Sequence, residues 1–574
     1  MPPKLRPWYD STFAPALASA ALLWAALPPL DLWLLGWIAP LGWVLLIRRR
    51  EISGSRRYRT LWLVGFLFWL AAIHWLRLPH WLTGVGWVAL SAYLAFYLPV
   101  FIALGRLAVH RLRVPLLLAV PVIFTGLELA RAHVLTGFSM GSLAHTQYRW
   151  LTLIQVSDLG GEYVVDFIMM LVVTCLARMV PLKEVGEWGS GGVGETRQRT
   201  TFGASSRLPL SPSPQLFLSA WPLALAATVV AAALGYGMLR TSGQYTGPGG
   251  RIALIQGSID VDFDLDESKR GNFFSHYCRL TQQAVRDYPR LDALVWPETM
   301  FPYSLISAEP DARPPAYWDC TLEKFQNWLT DQGPYGAQYG RHLLSAMGKA
   351  IGVPMIVGLE GQHFTATKNQ GYNTAVLIDR SGAIAARYDK IHPVMFGEYI
   401  PLARYFPWIY RWLPMKASLE SGHGPTAFHV GRLCLSPSIC YETVLPHVIR
   451  SQVAGLTAAG DCPNVLVNLT NDGWFWGSSE LDMHLVCGVF RAIECRKPLL
   501  IAANTGFSAW IDGDGRILLQ GIRHASDVLL AEVQVDRRTS PYLRYGDLPA
   551  GVCLSFCAVV AIAGLGSRFR RKYR

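Results

Sequence analysis

Charge is what this sequence has least of. Only 16% of its 574 residues are Asp, Glu, Lys or Arg, while 51% are hydrophobic. So small a charged fraction excludes an ordinary soluble chain and fits an integral membrane protein with one water-soluble part. Other signatures are missing too. There is no Cys-x-x-Cys and no His-Glu-x-x-His, so no metal cage is expected. No glycine-rich phosphate loop follows a strand-like run, and no cofactor is expected. No basic–aromatic groove or recognition helix is visible, which argues against a nucleic-acid partner despite the net charge of +12. Internal repeats and coiled-coil heptads are also absent.

What is present is long apolar runs and interfacial aromatics, with 21 Trp and 23 Tyr. About eight stretches read as spans of the ~20 residues a helix needs to cross a bilayer. They are 13–30, 32–47, 61–76, 84–105, 114–130, 163–180, 214–239 and 548–567. The first reads as a retained span rather than a cleavable signal, because a second run follows it after only Asp31. Basic residues set the orientation. Lys4 and Arg6, Arg48 to Arg59, Arg106 to Arg113, Lys183 to Arg207 and the tail Arg568 to Arg574 all fall on one side, predicted to be cytoplasmic. Both termini are then cytoplasmic and the region 241–546 faces outward. The expected organisation is a membrane domain over 1–240, an outward catalytic domain over 241–546 and a final span with a basic tail over 547–574. Gly186 to Pro214 reads as a flexible cytoplasmic loop.

After Arg251 the texture changes to short apolar β-type runs between helical and turn segments. Strands are predicted at Ile252–Gln256, Ala293–Trp296, Pro354–Gly358, Asn373–Asp379, Leu433–Ile439, Asn464–Asn468, Leu499–Ala503, Phe507–Ile511 and Val528–Val533. Helices are predicted at Lys269–Asp287, Gln338–Ile351 and Ser479–Arg496. Asp379-Arg-Ser-Gly382 and Asp512-Gly-Asp-Gly515 suit tight hairpins. The alternation indicates a layered α/β domain with buried sheets.

Three ionisable residues close strand-like runs. Cys440 ends Leu435-Ser-Pro-Ser-Ile-Cys440, Glu298 ends Leu294-Val-Trp-Pro-Glu298, and Lys390 ends Ile384-Ala-Ala-Arg-Tyr-Asp-Lys390. A thiolate attacks acyl carbonyls and yields a thioester that an amine can attack in turn. A carboxylate can take and return the proton, and an ammonium can stabilise the tetrahedral oxyanion. Taken singly, each has an ordinary reading: a buried core cysteine, a solvated glutamate, a surface lysine paired with Asp389.

Their surroundings shift that balance. Lys390 leads into Ile391-His-Pro-Val-Met-Phe-Gly-Glu-Tyr-Ile-Pro401, and Cys440 into Tyr441-Glu442. Farther on stand Asn468-Leu-Thr-Asn-Asp-Gly-Trp-Phe475, Arg491-Ala-Ile-Glu494 and Ala503-Asn-Thr-Gly-Phe-Ser508. In this order, over roughly 251–535, the set resembles the nitrilase, or carbon–nitrogen hydrolase, superfamily. The spans around it, with the loop Gly137-Phe-Ser-Met-Gly-Ser-Leu-Ala-His-Thr-Gln147, resemble that superfamily's membrane-embedded apolipoprotein N-acyltransferase family. The resemblance implies an αββα sandwich with Glu298 as general base, Lys390 as oxyanion stabiliser and Cys440 as nucleophile. Glu398, Tyr441 and Glu442 match supporting positions, and the Tyr441 backbone N–H is an implied oxyanion donor. The implied reaction is ping-pong. Cys440 takes an acyl chain from a membrane phospholipid, and the α-amino group of a diacylglyceryl-cysteine apolipoprotein accepts it. The implied site is the outer face of a bacterial inner membrane.

Two rival functions stay open: a membrane-anchored amidase using the same residues, and a catalytically silent lipid-handling protein of the same fold. The aromatic segment Tyr405 to Pro414 suits the headgroup–acyl boundary, and Trp474-Phe-Trp476 suits either that boundary or packing. Trp476 before Gly477, the length of 302–350 and the Asp-rich stretch 257–266 depart from the family pattern. Six cysteines share the outward domain with Cys440, and an oxidising compartment allows disulfides among them. Asn468-Leu-Thr470 fits a glycosylation sequon but is expected inside the sandwich. Glu128, Arg131 and Asp166, in or near spans, are expected to pair with one another or hold a lipid headgroup.

Overall fold

The computed structural model describes residues 11–181, 214–243, 246–260, 267–315, 317–401, 405, 406, 408 and 418–572. The expected flexible loop, most of the Asp-rich stretch and most of the 405–414 segment lie outside the described residues.

Among the described residues, thirteen strands make two sheets. They are β1 Thr246–Gln256, β2 Ala293–Val295, β3 Leu305–Ala308, β4 Met355–Phe364, β5 Asn369–Ile378, β6 Ile384–Asp389, β7 Phe428–Val430, β8 Leu433–Ile439, β9 Val465–Thr470, β10 Leu499–Ala503, β11 Ala509–Ile511, β12 Ile517–Gln520 and β13 Asp527–Asp536. The first sheet runs β13-β1-β2-β4-β5-β6, with β3 beside β4, and the second runs β12-β11-β10-β9-β8-β7. Their inner faces share one apolar layer, in which Leu254, Val295 and Ile356 meet Leu435, Val467 and Ala502. The alternate residues Ala253, Ile255 and Val357 face outward onto the helices Glu267–Asp287 and Tyr339–Ile351. On the second sheet, Leu466 and Ile501 face the helices Pro446–Ala458 and Glu480–Cys495. The layering is αββα, as the resemblance implied. Strands buried on both faces read as continuous apolar runs, which is why most of them were visible in sequence. Both expected hairpins form, joining β5 to β6 and β11 to β12.

Elements outside the prediction are short or half-exposed: β3, β7, β12 and the helix Leu322–Thr330 within the long 302–350 insertion. The helix Pro446–Ala458 was also missed; its proline sits at the first turn, where no backbone N–H is needed.

Among the described residues, four helices are long and apolar enough to cross a membrane, at Thr83–Arg111, Leu116–Thr136, Ala220–Thr241 and Leu548–Gly566. The pair Leu151–Gly160 and Glu162–Met179, bent by 118°, is long and apolar enough only when taken together. Of the first three expected spans, the first is shorter than drawn from sequence, the second is broken, and the third is shifted toward the N-terminus at the same length. Phe13–Ala26 has 14 residues and Arg57–Ala72 has 16. At ~1.5 Å per residue these fall short of the ~30 Å hydrocarbon core. The second divides into Trp33–Trp37 and Leu41–Arg48 around Pro40, which lacks the N–H an unbroken helix needs there.

The two parts are packed together. One apolar cluster runs from Val165 and Leu143 of the helical part into Val486, Phe490 and Ile501 of the sandwich. Glu480–Cys495 is accordingly buried at every position except Asp482.

Candidate active site

Glu298 follows β2, Lys390 follows β6 and Cys440 follows β8, so two come from one sheet and one from the other. β2 and β8 both lie in parallel pairings, whose carboxyl ends open the crevice in which such sheets place ligands. The face-to-face packing brings all three together. The Lys390 Nζ stands 3.7 Å from Glu298 Oε1. The Cys440 thiol is within electrostatic reach of both.

Strand register supplies a fourth member that sequence reasoning missed. Thr374 pairs with Asp389 across β5 and β6, so Asn373 lies beside Lys390, whose N–H donates to the Asn373 carbonyl at 2.8 Å. The Asn373 Nδ2 donates to Glu298 Oε1 at 2.6 Å and to Glu398 Oε1 at 2.8 Å. The Asn471 N–H donates to Glu298 Oε2 at 2.9 Å, so both oxygens of that carboxylate are held. In sequence Asn373 is only a polar residue near the start of an apolar strand. Asn471 lies in the quoted Asn468–Phe475 motif, which carried the only signal.

Glu398 lies beside Lys390. Lys390 Nζ lies 2.9 Å from its carboxylate, which also accepts from the Val394 N–H at 2.8 Å. Glu442 serves a different purpose. Its carboxylate accepts from the Tyr388 hydroxyl at 2.8 Å, Ile391 N–H at 2.8 Å, His392 N–H at 3.0 Å and Ile439 N–H at 2.7 Å. One buried side chain thus ties the segment after Lys390 to the strand before Cys440. The Tyr441 ring reaches the other way, its hydroxyl donating to the Gly137 carbonyl at 2.9 Å.

The electrostatics follow from burial. Burial pushes the Glu298 carboxyl above its ordinary 4.5, with Lys390 opposing and Glu398 adding. Burial would lower the Lys390 ammonium, but Glu398 and then Glu298 outweigh it and raise it. Glu398 stays below 4.5 in spite of its burial because Lys390 holds it ionised. Burial pushes the Cys440 thiol well above its ordinary 9.0, Glu298 adds to this and Lys390 opposes it. A thiol so placed carries its proton at neutral pH and needs a base, while a raised carboxyl beside it is matched to that task. Cys440 itself has φ 52°, a left-handed backbone that costs a non-glycine residue about 1–2 kcal/mol. It opens the turn Cys440–Val444 straight from β8.

Buried ion pairs join this domain to the helical part. Arg491 donates to Glu162 at 2.6 Å, and Glu494 accepts from the Glu162 N–H at 2.8 Å. Arg496 donates to Asp158 at 2.7 Å, and Asp158 also pairs with Arg240 at 2.8 Å. The Ser139 hydroxyl donates to the Val444 carbonyl, at the end of the turn that Cys440 opens. Glu128 and Arg131 pair with each other, and Arg131 also donates to the Phe138 and Met140 carbonyls at 2.7 and 2.9 Å. Asp166 accepts from the Ala144 N–H at 2.7 Å and from the Ser142 hydroxyl. These charges therefore brace the 134–147 loop.

Phe475 packs edge-on against Trp75 with centroids 4.9 Å apart, while Trp476 is 67% exposed. Tyr405, Phe406 and Trp408 are exposed. All ten cysteines are free, and the sequon residue Asn468 is fully buried.

The layered sheets and the strand-end Cys, Glu and Lys define a domain of the carbon–nitrogen hydrolase class. The carbon–nitrogen hydrolase family matches residues 251–541, and the apolipoprotein N-acyltransferase N-terminal domain matches residues 19–175. The apolipoprotein N-acyltransferase of Rhodopirellula baltica is 31% identical over 94% of this chain and 94% of its own length. That of Geobacter metallireducens is 30% identical over 93% of this chain and 92% of its own. Among solved structures, an amidase from Nesterenkonia sp. is 20% identical with a TM-score of 0.34, covering 53% of this chain and 96% of its own. The chain belongs to the apolipoprotein N-acyltransferase family.

Proposed function

We propose that this protein moves a fatty acyl chain from a membrane phospholipid to the α-amino group of a diacylglyceryl-cysteine at an apolipoprotein N-terminus. The observation that carries the chemistry is the convergence of Glu298, Lys390 and Cys440. In the first half-reaction Glu298 takes the Cys440 proton as Sγ bonds to the ester carbonyl carbon. Lys390 and the Tyr441 backbone N–H stabilise the oxyanion. The C–O bond breaks, Glu298 returns the proton to the departing alkoxide, and a lysophospholipid leaves a Cys440 thioester. In the second half-reaction the lipoprotein amine attacks the thioester, Glu298 takes its proton, the C–S bond breaks and the thiol is restored. Glu398 keeps Lys390 charged and placed, and Glu442 keeps the Lys390 and Cys440 segments in register.

The membrane setting follows from the substrates. Both are lipid-anchored, so confining the site to one bilayer replaces a three-dimensional search. We read the chain as about eight membrane passages, the shorter helices included, over 1–240 and 547–574, with 241–546 on the extracytoplasmic face of a bacterial inner membrane. The exposed aromatics Tyr405, Phe406 and Trp408 support lipid contact there.

Mass spectrometry of the intact protein purified from membranes tests this. An acyl-sized increment on Cys440, absent from Cys440→Ala and discharged by a diacylated lipopeptide, is expected. Amide hydrolysis without acyl transfer would replace this reading with the amidase.

A further inference from the structure

Behind the nucleophile lies a buried group that the scheme above does not use. The Cys440 carbonyl accepts from Asn468 Nδ2 at 3.2 Å and lies 3.3 Å from His484 Nε2. On the other side of that ring, His484 Nδ1 is 3.1 Å from Asp472 Oδ1. Both neighbours of the ring are hydrogen-bond acceptors, the Asp472 oxygen taking a further bond from the Thr470 hydroxyl at 2.7 Å. A neutral imidazole carries one N–H and can satisfy only one of them. His484 is 3% exposed, so water does not supply the second.

We propose that His484, oriented by Asp472, is a positioning residue that clamps the nucleophile's main chain as a doubly protonated ring. Its Nδ1–H donates to Asp472 and its Nε2–H to the Cys440 carbonyl. The clamp holds the left-handed Cys440 in place, so that Sγ and the following Tyr441 N–H keep their aim. This rests on the acyl-transfer reading above.

The charges around the ring agree. The groups facing it are Asp472 from the turn after β9, Cys440 from the turn after β8, Glu298 from the end of β2, and Glu480 from the first turn of its own helix. Burial disfavours the charged ring, but Asp472 outweighs it and the Cys440 carbonyl adds, so the ring titrates above its ordinary 6.5. Burial also pushes the Glu480 carboxyl well above its ordinary range, so Asp472 is the counter-charge. Ligand atoms of Asp472, Glu480 and His484 lie within 4.8 Å of one another, a spacing a cation would accept. Both ring nitrogens, however, already face protein acceptors, and His484 and Asp472 are read as a hydrogen-bonded pair.

The test uses the full-length protein in detergent micelles containing dioleoyl phosphatidylethanolamine. Thioester formation on Cys440 is timed by intact mass, and iodoacetamide alkylation of the same thiol is timed without lipid. His484→Leu removes the donor and is expected to slow both by about 10- to 100-fold. His484→Gln retains an amide N–H at the Nε2 position and is expected to recover most of that loss. Asp472→Asn removes the counter-charge. The ring then loses its second proton, but the new amide donates to Nδ1 while Nε2–H stays on the carbonyl, so both rates are expected to stay within about 3-fold of wild type. Wild-type rates in folded His484→Leu, equal losses in the Gln and Leu variants, or a loss in Asp472→Asn as large as in His484→Leu would overturn the proposal. Alkylation that follows the expected order while wild type forms no thioester would keep the clamp and remove the acyl-transfer reading.

Discussion

The Tyr441 hydroxyl donates to the Gly137 carbonyl at 2.9 Å, joining the residue after Cys440 to a loop 304 positions earlier in the chain. That loop follows a helix long enough to cross the membrane, and its own Thr136 carbonyl lies 2.9 Å from His392 Nε2. The turn that carries Cys440 is therefore seated on the membrane part.

Tyr441→Phe should separate that seat from the chemistry. The lost hydrogen bond is worth about 0.5–1.5 kcal/mol, so the protein should stay folded with a slightly lower melting temperature. Thioester formation should slow by roughly 2- to 10-fold as the turn loosens. An unchanged rate in single-turnover acylation would show that the contact is idle.

Glu398→Gln should leave Lys390 buried with a weaker partner. Removing one member of a buried pair costs about 3–5 kcal/mol, which chemical denaturation of the detergent-solubilised protein would read. The pH dependence has a definite sign. Glu398 is held below 4.5 in the folded state, so its stabilisation is present above 4.5 and is lost as pH falls through the folded value. Wild type should lose more stability on acidification than Glu398→Gln does, and parallel curves would refute the pairing.

Glu298 has the opposite sign. Its folded value lies above 4.5, so its contribution to stability is present below 4.5 and lost as pH rises through the folded value. Activity runs the other way, because the base acts only when deprotonated. The acid limb of the acylation rate should have its midpoint above 4.5, and Glu298→Gln should abolish that limb together with most of the rate. A rate in the Gln variant that keeps the wild-type acid limb would assign the base elsewhere.

Glu442→Ala orphans the Tyr388 hydroxyl and the N–H groups of Ile391, His392 and Ile439. Each unsatisfied buried donor costs about 1–3 kcal/mol, so the sum threatens the whole fold. Glu442→Gln keeps an acceptor and should fold. Its amide hydrogen exchange should rise at those three N–H groups, and wild-type protection there would contradict the stitching role.

Much of this was legible in the chain because the signals are local. Leu433–Ile439 and Leu499–Ala503 are buried on both faces and read as unbroken apolar runs, and the structure places strands at those bounds. Cys440, Glu298 and Lys390 stood out by closing such runs. Asn373 and His484 did not, since their partners come from strands and turns remote in sequence. The spans were read partly too long, because hydropathy does not register the break at Pro40 that divides one run into two short helices.

By itself the sequence determined that apolar helices flank an α/β domain and that a thiol, a carboxylate and an amine each terminate a strand. Those are properties of composition and short-range periodicity. Tertiary structure decided that the three ends meet, that Asn373 bridges two carboxylates, and that Arg491 and Arg496 bury their charges against Glu162 and Asp158. These contacts depend on strand register and on the packing of one sheet against the other, which hydrophobic pattern constrains only by face and not by partner.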